Sequence, residues 1–257
     1  MSNDSVQPTP VLAVFPAYGR YYGLWRQEKY LFPIDAEETN RMDMFHQFFL
    51  VARHDALYLP NLPVTRSLRI MDLGTGTGIW ANHVAESRTN PEPEIMAVDL
   101  HKIQAENHLL PGSGYLEHVE IDWVPRWDEG DGGEIPVRSA LEEWSTLFFT
   151  ALERLGRNAR IDRAAIRKTI EDAGFTDFKE ETIRGYMGPW MPDKNEQIAA
   201  KWLNLCFSRG VEAMSLMPMI KGLGMDMGEV SRLCERAVKE TLQLRFHTYF
   251  NVCSLPV

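Results

Sequence analysis

Cysteine is scarce: three in 257 residues, at Cys206, Cys234 and Cys253, too far apart for a disulfide framework or a CxxC centre. A reducing intracellular setting, cytoplasmic or nuclear, is the simplest expectation. No apolar run approaches the roughly 18–20 residues that a membrane-crossing helix needs. The opening MSNDSVQPTP has neither the basic leader nor the apolar core of a secretory signal. Positive charge is also limited, with 27 Lys and Arg against 36 Asp and Glu, a formal balance of −9, and no Lys/Arg run. Binding to phosphate backbones needs clustered cations, so a nucleic-acid partner is not expected. The seven histidines show neither HxxxH nor His/Cys spacing, so no metal site is expected. The remainder, 44% hydrophobic and 25% charged with seven Trp, is the composition of a globular chain able to bury a sizeable core.

Residues 1–17 are punctuated by proline and read as a flexible N-terminus. Asp35 followed by Glu38 is a capping-box signal, and Met42, Phe45, Phe49 and Ala52 recur at helical spacing after it. RIMDL reads as a short buried strand, GTGTG as a loop, IWANHVAES as a helix and EIMAVDL as the next strand. Farther on, SGYLEHVEIDW, FKEETIRGYM and RFHTYFNVCSL read as strands. Helices are expected at 139–155, at 162–173 before Gly174, after the Asp193/Glu196 cap, and around Val230–Val238. Strands alternating with helices, starting strand–Gly loop–helix–strand, mean an α/β sandwich.

The chemistry concentrates in Asp72-Leu73-Gly74-Thr75-Gly76-Thr77-Gly78, with Asp99-Leu100 about a helix and a strand later. Glycines at a strand-to-helix turn let a ligand approach the backbone. An acid ending the following strand falls where a ribose diol would sit. A nucleoside cofactor is therefore implied, and Gly74, Thr75, Gly76, Gly78, Asp99 and Leu100 are its candidate contacts. The dinucleotide fingerprint needs glycines at relative positions one, three and six, but here Ile79 holds the sixth. A phosphate P-loop would end in Gly-Lys-Ser/Thr, which is absent. Asp72, two residues before the first glycine, can orient the loop and meet a cationic or amino-acid-like portion, a pattern that suits S-adenosylmethionine.

At these residues the chain resembles class I S-adenosylmethionine-dependent methyltransferases, and specifically the fungal LaeA-like group linked to secondary metabolism. The Gly loop carries only the superfamily resemblance. The group resemblance rests on Tyr21-Tyr22, Lys29-Tyr30, Pro33, Asp35, Glu38, Arg41, Asp43 and His46, then Ile103-Gln104, Pro111–Glu117, Glu120, Ala173-Gly174-Phe175 and Gly188-Pro189-Trp190. The group usually has histidine where Tyr22 stands. The resemblance implies a Rossmann-like sandwich over residues 18–257, with an N-terminal aromatic lid and helix over 18–60. A helical cover over 190–242 would precede the last strand. One departure stands out. After Gln104 the group continues through a third strand, a helix and a central fourth strand, whereas here Ala105–Pro111 leads almost directly to the fifth strand. On the order of 50 residues, two strand–helix units, are missing, and with them the acid expected at adenine. Residues omitted at the Gln104–Ala105 junction, or a gene-model artefact there, are the expected cause; in a product that is really shortened, RIMDL would pair directly with GYLEHVEIDW or present an open edge.

Other signals admit two readings each. Tyr21, Tyr22, Trp25 and Tyr30 form either a lid over cofactor and substrate or ordinary core packing. Trp123 and Trp190 line a substrate cavity or fill the core. Glu120, on one strand face with His118 and Asp122, is a weak candidate base, and a structural carboxylate is the plainer alternative; no catalytic residue is otherwise identified. His46 is a lid residue or a helix-surface histidine, and MSLMPMIKGLGMDMG a substrate cover or core filling. The leading functional expectation is methyl transfer to a small-molecule acceptor. The alternatives are a cofactor-binding regulator acting through protein partners and a repurposed, pericyclase-like fold without methyl transfer.

Overall fold

The computed structural model describes residues 13–24, 29–63, 65–88, 91–99 and 114–256. Trp25, Leu100 and the Gln104–Ala105 junction lie outside the described residues. The protein is a mixed α/β chain, and among the described residues the strands fall into three separate sheets.

The first is a hairpin of β1 (Val14–Ala17) and β2 (Arg20–Gly23). Val14–Ala17 was expected to belong to a flexible N-terminus and is instead paired strand. Its tight turn uses Tyr18 and Gly19, both at positive φ (53° and 74°), the geometry of a primed turn that matches strand twist. Asp35 caps α1 (Ala36–Ala52) by accepting from Glu38 N. Glu38 does not complete the box: it turns inward, 3% exposed, and accepts two hydrogen bonds from Arg41.

The second sheet pairs β3 (Arg69–Leu73) with β4 (Glu94–Val98) in parallel, joined through α2 (Ile79–Ser87). The third is antiparallel, in the order β5 (Glu117–Trp127), β7 (Thr248–Pro256), β6 (Glu181–Tyr186). The β5 register shifts between Asp122 and Arg126, around Pro125, where a proline cannot donate to the ladder. β3 does not pair with β5. Of the two outcomes open to RIMDL, the described residues show the open edge, and Leu73 and Met96 of this small sheet are 62% and 42% exposed.

The core lies with the third sheet. α3 (Ala140–Arg154) buries Leu141, Trp144, Phe148, Ala151 and Leu152 at helical spacing. α4 (Arg163–Asp172) starts at its Asp162 cap, and Gly174 follows it at positive φ. α5 (Lys194–Leu223) was expected with α6 (Met227–Thr241) as a helical cover. It is instead buried along much of its length against α1, α3, α6 and β6. The first part of the methionine run is core filling: Met214, Met217 and Met219 are buried within α5, and Pro218 is carried inside the helix rather than ending it, while Met227 at the end of the run is 47% exposed. Gly210 leaves room for Arg41, since a Cβ there would meet Arg41 Cδ at 2.2 Å.

Two carboxylates, a buried one at Glu240 and a half-buried one at Glu117, tie distant segments together. Glu240 accepts from Ser139 Oγ (2.6 Å) and Ala140 N (2.7 Å), joining α6 to the start of α3. Glu117 accepts from Arg53, from Leu59 N (3.1 Å) and from Ser254 Oγ (2.8 Å).

Candidate functional site

The Gly loop leaves β3 and enters α2. Gly74, Gly76 and Gly78 all adopt positive φ (79°, 57° and 79°), which a side chain would strain. The loop satisfies its own amides. Gly74 N and Thr75 N donate to Val98 O (2.7 and 3.1 Å), Gly78 N donates to Thr75 O (2.9 Å), and Gly76 N donates to Asp99 Oδ2 (2.8 Å). Asp99 therefore sits at the loop, as its position after β4 suggested, with one oxygen already engaged by the backbone.

Asp72 lies beneath the turn. Burial pushes its carboxyl above the usual range and the Asp99 charge adds to this. Thr75 lies close enough to oppose that rise, yet neither Asp72 Oδ2 nor Thr75 Oγ1, both buried, makes a well-formed hydrogen bond. A Cβ built on Gly74 meets nothing within 4 Å among the described residues, so on their side the space before the turn is open.

α1 closes over the other side. Asp43 Oδ1 accepts from Thr77 Oγ1 at 2.6 Å. One turn on, His46 Nε2 and His83 Nδ1 of α2 lie 2.8 Å apart. His46 is 8% exposed, which corrects the helix-surface reading, and burial first, then His83, pushes its pKa down. Tyr30, just before α1, is pushed up to about 12 by burial first and by nearby Glu38 and Asp99 charge, Arg41 opposing.

The structure thus brings Asp72, Gly74, Thr75, Gly76, Gly78 and Asp99 together and places Tyr30 within reach of the Asp99 charge. The other aromatic candidates lie elsewhere. Tyr22 is 1% exposed, packed on Phe15 and Tyr18, while Tyr21 on the same strand is 53% exposed. Trp123 is surrounded by Phe45, Trp144, Phe207 and Phe250 in the core. Trp190 stacks on His247 at 4.0 Å. Glu120 is half exposed and pairs with His118 (3.3 Å), which is held above its ordinary pKa by that contact. Sequence reasoning did not assign Met42 or Asp43 to the loop. The only signal was their place on the apolar and acidic faces of a capped helix two turns long at that point.

A cavity of about 220 Å³ opens between α5 and α6, lined in part by Ser208, Glu212, Ser231 and Lys239, and contains no Gly-loop residue. Among the described residues there is no cluster of metal-ligating side chains, and no helix is long and apolar enough to cross a membrane.

No family model matches the chain. Curated relatives do. It is 40% identical to the secondary metabolism regulator laeA of Fusarium oxysporum f. sp. lycopersici and 41% identical to the secondary metabolism regulator LAE1 of Gibberella fujikuroi. Each alignment covers 93% of this chain and 90% of the relative. The laeA regulator of Aspergillus fumigatus is 29% identical, over 91% of this chain and 74% of its own length. The Fusarium and Gibberella alignments run over 289 positions but take in 93% of the 257 residues here, so about 50 of those positions have no counterpart in this chain. Similarity at this level, along nearly the whole of both partners, places the chain in the LaeA/LAE1 family of fungal secondary metabolism regulators.

Proposed function

We propose that the chain acts in secondary metabolism, as its relatives' names state of them, by binding S-adenosylmethionine at the Gly loop and transferring its methyl group to a small-molecule acceptor. One observation carries the cofactor reading. The loop amides of Gly74, Thr75, Gly76 and Gly78 are spent within the protein, while carboxylates converge on it from Asp72, Asp99 and Asp43. A pyrophosphate needs free N–H donors and repels carboxylates. A ligand that donates hydrogen bonds and carries positive charge suits this loop, and an adenosyl-methionine offers ribose hydroxyls, an ammonium and a sulfonium.

The residues present fit that group. Asp99, which accepts from Gly76 N, would also accept from the ribose diol. Asp72 would face the ammonium, which its unpartnered buried oxygen favours. The open space at Gly74 admits the ligand against the backbone. When bound, the cofactor supplies an activated methyl group on a good leaving group. The protein's part is to hold ligand and acceptor in line and keep water out, so positioning carries most of the work.

The proposal puts the unmatched alignment positions in the stretch after Asp99, a reading supported by the small β3–β4 sheet not joining β5. There they would form the third and fourth strands of a Rossmann-like methyltransferase sheet. A second reading follows from the relatives being named regulators: the chain binds the cofactor without transferring its methyl, and signals through a protein partner. Calorimetric titration with S-adenosylhomocysteine and with NAD tests the cofactor class. Heat with the first alone supports the proposal, and binding of NAD alone would overturn it. Radiolabelled methyl incorporation into extract fractions then separates transfer from binding.

A further inference from the structure

Gly76 has a neighbour that Gly74 lacks. A side chain begun at Gly76 would meet Met42 Cε at 2.5 Å, so the Met42 methyl lies directly on the loop where the chain turns from β3 into α2. Two further contacts hold α1 there: Asp43 to Thr77 on the next residue, and His46 to His83 one turn on. Met42, Asp43 and His46 thus press one stretch of α1 onto the loop and the first turns of α2. Asp43 and His46 bind polar groups that need partners. Met42 binds none, and what it does is fill space.

We infer that Met42 is a ligand-displaced gate of the Gly loop: its thioether occupies space over Gly76 that a bound nucleoside ligand needs, and entry swings it aside. The inference rests on the cofactor reading above. Methionine suits the task, because an unbranched chain with three rotatable bonds leaves and re-enters a gap at little cost. The anchors beside it do not have to break. Only the fraction of molecules with Met42 turned away would be competent to bind, and apparent affinity falls in proportion to that fraction.

Calorimetry of the full chain with S-adenosylhomocysteine tests this in the wild type, Met42→Ala and Met42→Phe. Removing the plug should tighten binding by about 3–10-fold, and the bulkier, stiffer ring should weaken it by about tenfold or more. Binding by Met42→Ala when the wild type shows none would also support the gate. Wild-type binding with Met42→Ala unchanged or weaker would overturn the gate and leave the cofactor reading standing. No binding by either chain would overturn both. A second measurement covers an unstable variant. In wild-type chain labelled at the methionine methyls, the Met42 resonance, assigned with Met42→Leu, should move on adding S-adenosylhomocysteine. A resonance unmoved at saturation would sink the gate.

Discussion

Arg20 grips Asp35 through both carboxylate oxygens, Nε to Oδ2 at 2.7 Å and an Nη to Oδ1 at 2.6 Å, while the same carboxylate caps α1. One side chain therefore anchors the β1–β2 hairpin and starts the helix that lies on the Gly loop. The Arg20 hydrogen bonds, helped by the backbone amides of Tyr21 and Glu38, hold the Asp35 carboxyl down to about 2 against the cost of burial. A carboxyl with a depressed folded pKa stabilises the fold above its unfolded pKa, near 4, and loses that contribution as pH falls toward about 2. The contribution should be about 1–2 kcal/mol after solvent screening. Asn at this position keeps the cap and removes the charge. Urea unfolding should show Asp35→Asn less stable than wild type at pH 6, with the gap closing toward pH 2; a gap that ignores pH would refute the assignment.

Tyr22 tests whether the N-terminal aromatics are lid or core. Its ring is buried and its hydroxyl has no hydrogen-bond partner, a desolvation cost that Phe would not carry. Tyr22→Phe should leave stability unchanged or raise it by up to about 1 kcal/mol, and Tyr22→Ala should cost about 3–5 kcal/mol. Thermal melts decide this. A Phe variant that keeps its melting temperature but loses ligand binding would instead place the hydroxyl in the site.

Trp144 Nε1 donates to Ser215 Oγ at 2.8 Å deep between α3 and α5. Ser215→Ala leaves that indole N–H orphaned and should cost about 1–3 kcal/mol. Chemical denaturation measures it, and a neutral result would mean the pair contributes nothing net.

Asp99→Ala should weaken S-adenosylhomocysteine binding by about 1.5–3 kcal/mol, the range for hydrogen bonds to a charged group. Gly76→Val is the poorer probe, because its side chain would strike Met42 and sit at positive φ before any ligand arrives. Unchanged affinity in Asp99→Ala, with the chain folded, would show that the acid after β4 does not hold the ligand.

With the relatives' additional residues belonging after Asp99, as proposed above, a chain carrying them there should bind the cofactor more tightly and stay soluble at higher concentration. The open β3 edge, with Leu73 exposed beside it, invites pairing with other chains until it is covered. Side-by-side titration and light scattering of the two polypeptides would check this. Equal affinity and equal solubility would show that the present chain has no need of the extra strands.

Local signals explain what was legible in the sequence. Asp35, Ser139, Asp162 and Asp193 each accept from the backbone three residues on, and that chemistry is complete within one turn. β3, α2 and β4 were readable because apolar runs flank the Gly loop on both sides. The hairpin turn at Tyr18-Gly19 was missed because a tyrosine at positive φ resembles none of the usual turn pairs. Within α5, Pro218 sits where a proline ordinarily costs an interior helix about 3 kcal/mol; burial of Met214, Met217 and Met219 around it overrides that local cost. Glu117 and Glu240 look like any surface acid in sequence, since their partners lie more than fifty residues away.

Residues 69–98 form a strand–helix–strand unit attached to the larger half through α1 and the segment after it, with no shared sheet. So short a unit cannot supply a core of its own. It should open as a separate cooperative block, releasing its amide protons to solvent ahead of β5, β7 and β6. Every candidate cofactor contact in the described residues belongs to that block or its edges. A ligand settling there must first complete the folding of what it binds, so part of its interaction energy goes into ordering the chain. Measured affinity will then report the local stability of β3 and β4 as much as the chemistry of Asp72 and Asp99.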